Sequence, residues 1–336
     1  MWLILASQNL PNLKRMDFSN STNLKMTPCF EGILNLEWLN FTGCIKLSHV
    51  DPSIGLLEEL VSLSLQRCTS LVSLDFGNAP RLKSLRYMCL SDCAKLENTP
   101  NFSGLSSLKY VDMDRCASLS RIHESVGGLP KLSFISLRDC TNLVGIADSL
   151  NEMTSLVTLH LSGCSKFSKV PLGGTAISPL RFFIYLDLSF CNIYEVPDAI
   201  GELRRLERLN LQGNNFTSLP STLSCLHNLS YLNLSHCHKL RSLPLLPKER
   251  GPSDSVGRYF RTTSESRNHR SGLYIFDSIL CIDRFHFGWL LINWLQRLLT
   301  VRNTLPTLML SFYIQLCCFE NSIQRSFLKK KYKFNV

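Results

Sequence analysis

Apolar residues recur along the chain in a short fixed pattern, L-x-x-L-x-L-x-x-C-x-x-L. A weaker first copy starts at Leu13, clear copies start at Leu36 and Leu60, and the last copy starts at Leu229. The first apolar residues of successive copies are 23 to 27 residues apart. Ten copies at this spacing predict a repeat architecture, in which each copy is one structural unit that packs on its neighbours.

The L-x-L part of each copy predicts a short strand, because alternate side chains of a strand point to opposite faces. Each inward leucine contributes about 1.5–3 kcal/mol when it is buried, and one coil alone cannot cover it. Stacked coils with a parallel sheet are therefore expected, with short helical or irregular segments such as 52–55, 125–128 and 199–203 on the other side. The predicted fold class is α/β: a leucine-rich-repeat solenoid, curved like a horseshoe, with the parallel sheet on the concave face.

A small side chain follows each strand where the chain turns away. Asparagine there can satisfy backbone groups of the turn, and cysteine is small enough to bury and is a weaker donor. We expect unpaired thiols with a structural role, which suits a reducing compartment such as the cytosol. The predicted turn column consists of Cys44, Cys68, Cys93, Cys116, Cys140, Cys164, Cys191, Asn214 and Cys237.

The outward strand positions are the candidates for binding. Six of the ten residues before the second leucine are aromatic. Such a row either anchors a partner or stacks along the sheet and supports its neighbours, and the sequence leaves both interpretations open. The next outward column is polar and mildly acidic, which favours a polypeptide partner and does not favour nucleic acid. The candidate protein-binding face consists of Trp38, Tyr87, Tyr110, Asp112, Asp114, Phe134, Arg138, His160, Tyr185, Arg208 and Tyr231.

Charge is distributed unevenly along the 336 residues, which carry a net charge of +10. Residues 248–336 contain 14 Lys and Arg against 6 Asp and Glu. This basic segment either meets an anionic surface or is a solvated terminus, and we favour the second. We expect a lead-in at 1–9, repeats at 10–247, a basic linker at 248–272, and an incomplete post-repeat segment at 273–336. No stable membrane insertion is expected, and the apolar start is too short for a signal peptide.

Sequence motifs for catalysis are absent. There is no G-x-x-x-x-G-K-[ST], H-E-x-x-H or G-x-S-x-G, so we expect no enzyme activity and no cofactor. His236-Cys237-His238 resembles a ligand cluster, but a zinc site is not favoured because no second cluster completes it. Six N-x-S/T matches, including Asn40, would fit glycosylation. We interpret them as accidental.

Residues 10–243 resemble the repeat region of plant TIR-type nucleotide-binding leucine-rich-repeat disease-resistance proteins, especially legume-type receptors similar to the tobacco mosaic resistance protein. The resemblance lies in 10–17 (LPNLKRMD), 35–44 (NLEWLNFTGC) and 160–164 (HLSGC). Residues 258–263 and 271–277 are similar to the start of that family's β-rich post-repeat domain, and the chain departs from it after 282.

The resemblance implies recognition of a pathogen effector, or of a host protein that the effector alters, in defence signalling. It implies a cytoplasmic location, with the nucleus as a second compartment, and signalling domains as further partners. The family's TIR and ADP/ATP-binding domains are not in this chain, so no activity of theirs is expected. Two alternatives stay open: a structural adaptor or truncated receptor fragment, and an extracellular receptor ectodomain.

Overall fold

A computed structural model describes residues 10–77, 80–146, 152–167, 170, 172 and 182–247. The predicted lead-in 1–9, basic linker 248–272 and post-repeat segment 273–336 lie outside the described residues. Every predicted repeat has its strand within the described part of the chain.

Each repeat contributes one three-residue strand, and the ten strands pair in parallel, in sequence order, within one sheet. Equivalent positions of neighbouring repeats lie side by side, as Met16, Leu39 and Leu63 do. This register confirms the predicted leucine-rich-repeat solenoid of stacked coils. The strands are β1 (Arg15–Asp17), β2 (Trp38–Asn40), β3 (Ser62–Ser64), β4 (Tyr87–Cys89), β5 (Tyr110–Asp112), β6 (Phe134–Ser136), β7 (Thr158–His160), β8 (Tyr185–Asp187), β9 (Arg208–Asn210) and β10 (Tyr231–Asn233).

The core is one continuous cluster behind the sheet. Leu39 and Leu159, at strand centres, are fully buried, as the alternation of the pattern predicts. Phe102 fills the opposite side of its coil and is also fully buried. Leu13 and Leu232, in the outermost coils, are only partly buried, since each of those coils has a described neighbour on one side only. Stability therefore depends on contacts between neighbouring coils.

The segments opposite the sheet are short 3₁₀ helices or irregular chain, and the described residues contain no α-helix. Asp51 begins the first of these helices by accepting a hydrogen bond from the Ser53 amide at 3.0 Å. His123 Nδ1 accepts from the Ser125 amide at 3.2 Å, which gives this histidine a structural role. The 3₁₀ helices are Pro52–Leu56, Glu124–Val126, Asp198–Glu202 and Ser221–Cys225. No helix among the described residues is both long enough and apolar enough to cross a membrane.

A left-handed residue precedes the turn column in every coil. Glycine occupies this place in three coils, and side chains as large as Arg67 and Phe190 occupy it in others. A left-handed conformation costs most non-glycine residues about 1–2 kcal/mol. The residues are Asn20, Gly43, Arg67, Asp92, Arg115, Asp139, Gly163, Phe190, Gly213 and His236.

Replacing Arg67 with glycine is expected to stabilise the protein by about 0.5–1 kcal/mol. Relief of the left-handed strain at φ 59° exceeds the cost of added freedom in the unfolded chain. The measurement is the urea midpoint of the full chain. Arg86→Gly is the control, because Arg86 is also exposed and has no positive φ; it should destabilise. An Arg67→Gly midpoint below wild type would contradict the expectation.

Candidate functional site

The concave face presents two columns of side chains whose order is set by the strand register. The first column begins at Arg15 and ends at Tyr231, and each member lies beside its equivalents in the neighbouring strands. Arg15 and Arg208, nearer the ends of the array, are exposed, whereas Trp38, Tyr87 and Tyr231 are half-buried. The middle of the column is more enclosed than its ends. The column consists of Arg15, Trp38, Ser62, Tyr87, Tyr110, Phe134, Thr158, Tyr185, Arg208 and Tyr231.

Aromatic rings form a contact chain across β5 to β8. Tyr110 and Phe134 stack with centroids 4.2 Å apart and an interplanar angle of 4°, and they are 6% and 3% exposed. Phe134 lies 5.5 Å from the His160 ring, which meets Tyr185 edge-on at 4.8 Å. Stacking along the sheet is therefore present at these positions. Ring stacking also holds these side chains in place.

The repeat pattern alone did not predict that His160 joins this chain of rings, because Phe134 and Tyr185 are the first residues of their strands whereas His160 is the last residue of β7. The tertiary arrangement brings the three rings together across neighbouring strands. Near the C-terminal end of the array, Arg208 lies over the Tyr231 ring, 5.6 Å from its centroid.

A polar network continues from the rings toward the strand ends. Arg138 Nη2 lies 3.0 Å from His160 Nδ1 and 3.3 Å from Nε2. The guanidinium of Arg138 also lies 3.9 Å from an Asp114 carboxylate oxygen. Asp114 accepts hydrogen bonds from the Ser136 hydroxyl and, at 2.9 Å, from the Arg138 amide. Three coils are thus joined by charged and polar side chains that are far apart in sequence.

Asp187 completes the network beside His160. Its carboxylate lies 3.9 Å from His160 Nδ1 and accepts hydrogen bonds from the Ser189 amide at 3.0 Å and the Ser189 hydroxyl at 2.7 Å. Burial disfavours the charged carboxylate, but His160 and the Ser189 hydrogen bonds offset that effect, and the pKa of Asp187 is lowered. Asp187 is therefore ionised at neutral pH.

We call the following set the central patch: Tyr110, Asp112, Asp114, Phe134, Arg138, His160, Tyr185 and Asp187. All of its members lie on β5 to β8 or on the turns that follow these strands. Of its three carboxylates, Asp114 lies beside the guanidinium of Arg138 and Asp187 lies beside His160. Every member except Asp187, the last residue of β8, belongs to the candidate face predicted from the sequence.

The second outward column has a structural duty that the sequence analysis did not identify. At seven positions the side chain accepts a hydrogen bond from the amide two residues later, at 2.9–3.5 Å, and so closes the strand-end turn. Asp, Asn and Ser commonly form such local turns, which was the available signal. The seven are Asp17, Asn40, Ser64, Asp112, Asp187, Asn210 and Asn233.

The turn column joins each coil to the one before it. Burial raises the pKa of the Cys93 and Cys191 thiols to about 12, so these thiols stay protonated at neutral pH and act as donors. The described cysteines are all free thiols. Each column thiol donates to a backbone carbonyl of the preceding coil at 2.9–3.3 Å: Cys44 to Phe18, Cys68 to Phe41, Cys93 to Leu65, Cys116 to Leu90, Cys140 to Met113, Cys164 to Leu137, Cys191 to Leu161 and Cys237 to Leu211.

Asn214 takes the place of cysteine in the ninth coil and makes more bonds. Its amide nitrogen donates to the Leu188 and Leu211 carbonyls, each at 2.8 Å. Its amide oxygen accepts from the Cys191 amide at 3.2 Å and the Ile193 amide at 3.0 Å. The bonding that the sequence analysis expected of asparagine is thus observed at this position.

Within the described ranges, no group of three or more His, Cys, Asp or Glu side chains is arranged to hold a metal ion. His236 and His238, which flank Cys237, have ring centroids 5.9 Å apart, while the Cys237 thiol is directed to a backbone carbonyl.

Comparison with known proteins shows where this chain has relatives. A family model described as "Leucine rich repeat" matches residues 185–238. TMV resistance protein N of Nicotiana glutinosa is 30% identical over 292 residues, which cover 72% of this chain and 25% of that protein. Disease resistance-like protein DSC1 of Arabidopsis thaliana is 31% identical over 215 residues, covering 64% and 15%. The chain thus spans a quarter or less of the length of these relatives.

Two solved structures also match this chain in part. The leucine-rich repeat domain of the type III effector XopL has a TM-score of 0.48 at 20% identity, covering 73% of this chain and 80% of that one. A TDR receptor has a TM-score of 0.45 at 22% identity, covering 70% and 43%.

Proposed function

We propose that this chain is a non-enzymatic protein-recognition module. Its repeat array is a leucine-rich-repeat solenoid that is similar in sequence to plant disease-resistance proteins. It binds a polypeptide partner on the concave face of the sheet. In its finer form, the proposal is that the partner is a pathogen effector or an effector-modified host protein, and that binding takes place in the cytoplasm or nucleus during defence signalling.

One observation supports this function above the others. The ten-stranded sheet places side chains of distant repeats side by side. Its middle carries the stacked rings of Tyr110 and Phe134, and His160 contacts both Phe134 and Arg138. Aromatic and arginine side chains that are already held in place are typical of the few residues that dominate a protein interface.

The similarity to resistance proteins supports the finer proposal. The similar region is a minor part of TMV resistance protein N, so the activity and partners of the whole relative are not carried over with it. The repeat array supports the binding role, and the proposal assigns no signalling activity to the array. The two alternatives, an adaptor and an extracellular receptor ectodomain, differ from this proposal in the partner and in the compartment. Both would bind their partner on the same concave face.

The test is an affinity capture with the full chain from infected and uninfected plant tissue. We expect a partner that is captured only from infected tissue, and Tyr110→Ala with Phe134→Ala should reduce its capture about tenfold or more, the effect expected of hot-spot residues. Val144→Ala is the matched control, because Val144 is exposed and lies outside the strands.

A separate variant guards against loss of folding. Because Tyr110 and Phe134 are buried, their replacement could disturb the coil. Tyr87→Ala, at a half-buried position of the same column, is therefore tested beside the double variant. Circular dichroism checks the folding of each protein. Equal capture from both tissues would argue for an adaptor. Equal capture by the wild-type protein and both variants would show that the partner does not bind the concave face.

A further inference from the structure

Three exposed aromatic side chains belong to the coil of β8, and two of them carry a cation from a later coil. The Arg205 guanidinium lies over the Phe182 ring, 5.3 Å from its centroid, and the Lys239 ammonium lies 5.4 Å from the centroid of Tyr194. The third ring, that of Phe190, is 50% exposed. Within the described part of the chain, no cation and no second ring packs on Phe190. Its exposed surface is therefore open to a group from another molecule.

Phe190 is held in a conformation that large side chains rarely adopt. Its φ of 55° lies in the left-handed region, and half of the side chain stays exposed, so burial offers little compensation for the strain. The ring lies against Gly213 of the next coil, where a Cβ would overlap it. A strained aromatic residue that adds little to the core is a candidate for binding.

A carboxylate and a glycine complete a notch beside the Phe190 ring. Left-handed residues of successive coils lie side by side, because the Asp139 and Gly163 amides donate to the Ser162 and Ser189 carbonyls at 2.7 and 2.8 Å. Asp139 is exposed, and its carboxylate reaches the place where a Gly163 side chain would begin. Gly163 itself puts no side chain between the carboxylate and the ring. Asp139 and Phe190 are two coils apart, about 10 Å at about 4.8 Å per coil.

The Asp139 carboxylate is not neutralised by the arginines nearest to it in sequence and in the row of left-handed residues. Arg115, its equivalent in the preceding coil, is directed the other way and pairs with Asp92 at 2.6 and 2.9 Å. The guanidinium of Arg138 lies beside Asp114. Among the residues that the structure describes, no hydrogen bond or ion pair engages the Asp139 carboxylate. The notch therefore combines one negative charge with one exposed aromatic ring.

We infer that the notch of Asp139, Gly163 and Phe190 takes an arginine side chain of the polypeptide partner, an inference that rests on the proposed function. A guanidinium packs within about 6 Å of a ring centroid while its N–H groups donate to a carboxylate over about 2.8 Å. These two contacts together bridge the distance between Asp139 and Phe190. A lysine ammonium has no planar face, so arginine is favoured over lysine. The notch follows the ends of β6 and β8, at the edge of the concave face.

Selection from random peptides displayed on phage tests the inference with the immobilised full chain. We expect arginine to be enriched among peptides that the wild-type chain retains, and Asp139→Asn and Phe190→Asn should each lower their retention about tenfold, as expected of dominant interface residues. Both variants should stay folded, because Asn20 holds the equivalent left-handed position at φ 59°. His236→Asn is the control, since it makes the same replacement at φ 56° in the last coil and should leave retention unchanged.

Synthetic versions of a selected peptide test the arginine itself. Replacing it with lysine should weaken binding about fivefold, and replacing it with citrulline, which keeps the shape without the charge, about tenfold or more. A 4-fluorophenylalanine label at Phe190 gives a local measurement, because its ¹⁹F signal should shift when the peptide binds. The same label at Phe182 should not shift, because Arg205 already covers that ring.

Three results would overturn the inference: no enrichment of arginine, no dependence of retention on Asp139 and Phe190, or equal binding of the arginine and lysine peptides. An equal loss of retention with His236→Asn would also overturn it, since the effect would then not be specific to the notch. Peptides that depend on Tyr87 and not on the notch would remove only this inference and leave the proposed function standing. Peptides that depend on the notch and not on Tyr87 would count against the concave face alone.

Discussion

Replacement of Asn214 with alanine is expected to lower the free energy of unfolding by about 4 kcal/mol. The side chain is 2% exposed and bonds two carbonyls and two amides of the turns around it. Alanine leaves these four groups buried without that partner, and each such group costs about 1–3 kcal/mol, with incomplete additivity. Chemical unfolding of the full chain, followed by circular dichroism, measures the change.

Asn214→Cys is the matched control, because cysteine occupies eight other positions of the turn column. By analogy with Cys191, whose thiol donates to the Leu161 carbonyl, the new thiol can donate to the Leu188 carbonyl. It cannot accept strongly from the two amides, so about half of the loss should be recovered. If the alanine and cysteine variants are equally stable, the hydrogen bonds of Asn214 contribute little and the expectation is wrong.

Gly55→Ala is expected to destabilise the protein by about 3 kcal/mol or more. Gly55 lies in the 3₁₀ helix Pro52–Leu56, and a Cβ there would overlap the carbonyl oxygen of Phe76 in the next coil. Neither atom can rotate away, because the backbone fixes the positions of both. The Gly55 carbonyl also accepts from the Arg81 amide at 2.6 Å. The two coils would have to separate locally, which exposes core.

Gly128→Ala provides the comparison for Gly55→Ala. A Cβ on Gly128 would meet its nearest heavy atom, the Ser125 carbonyl oxygen, at 3.6 Å, an ordinary contact. The free energy of unfolding of Gly128→Ala, measured in urea, should stay within about 0.5 kcal/mol of the wild-type value. Gly201, where a Cβ would lie 2.5 Å from the Thr222 carbonyl oxygen, should behave like Gly55. Equal urea midpoints for the Gly55 and Gly128 variants would contradict this expectation. They would show that neighbouring coils can move apart to accommodate a Cβ at little cost in stability.

The turn column shows which structural features the local sequence can predict. The position of Cys140 three residues after Leu137 was enough to place it behind the strand, because the pattern repeats with every coil. The identity of its acceptor, the Met113 carbonyl, requires the stacking of one coil on the next. Glycine, asparagine and aspartate at several of these positions are typical of the left-handed conformation before the column, whereas Arg67 and Phe190 give no such signal.

The sequence by itself determined the repeat, the inward leucines and the register of the concave columns, because one short pattern recurs at nearly constant spacing and each copy must cover its neighbour. The tertiary structure alone decided which outward side chains touch. Arg138 and His160 are 22 residues apart and meet across neighbouring coils, and Tyr110 stacks on Phe134 in the same way. Such contacts depend on the distance and rotation between coils, which no single repeat encodes.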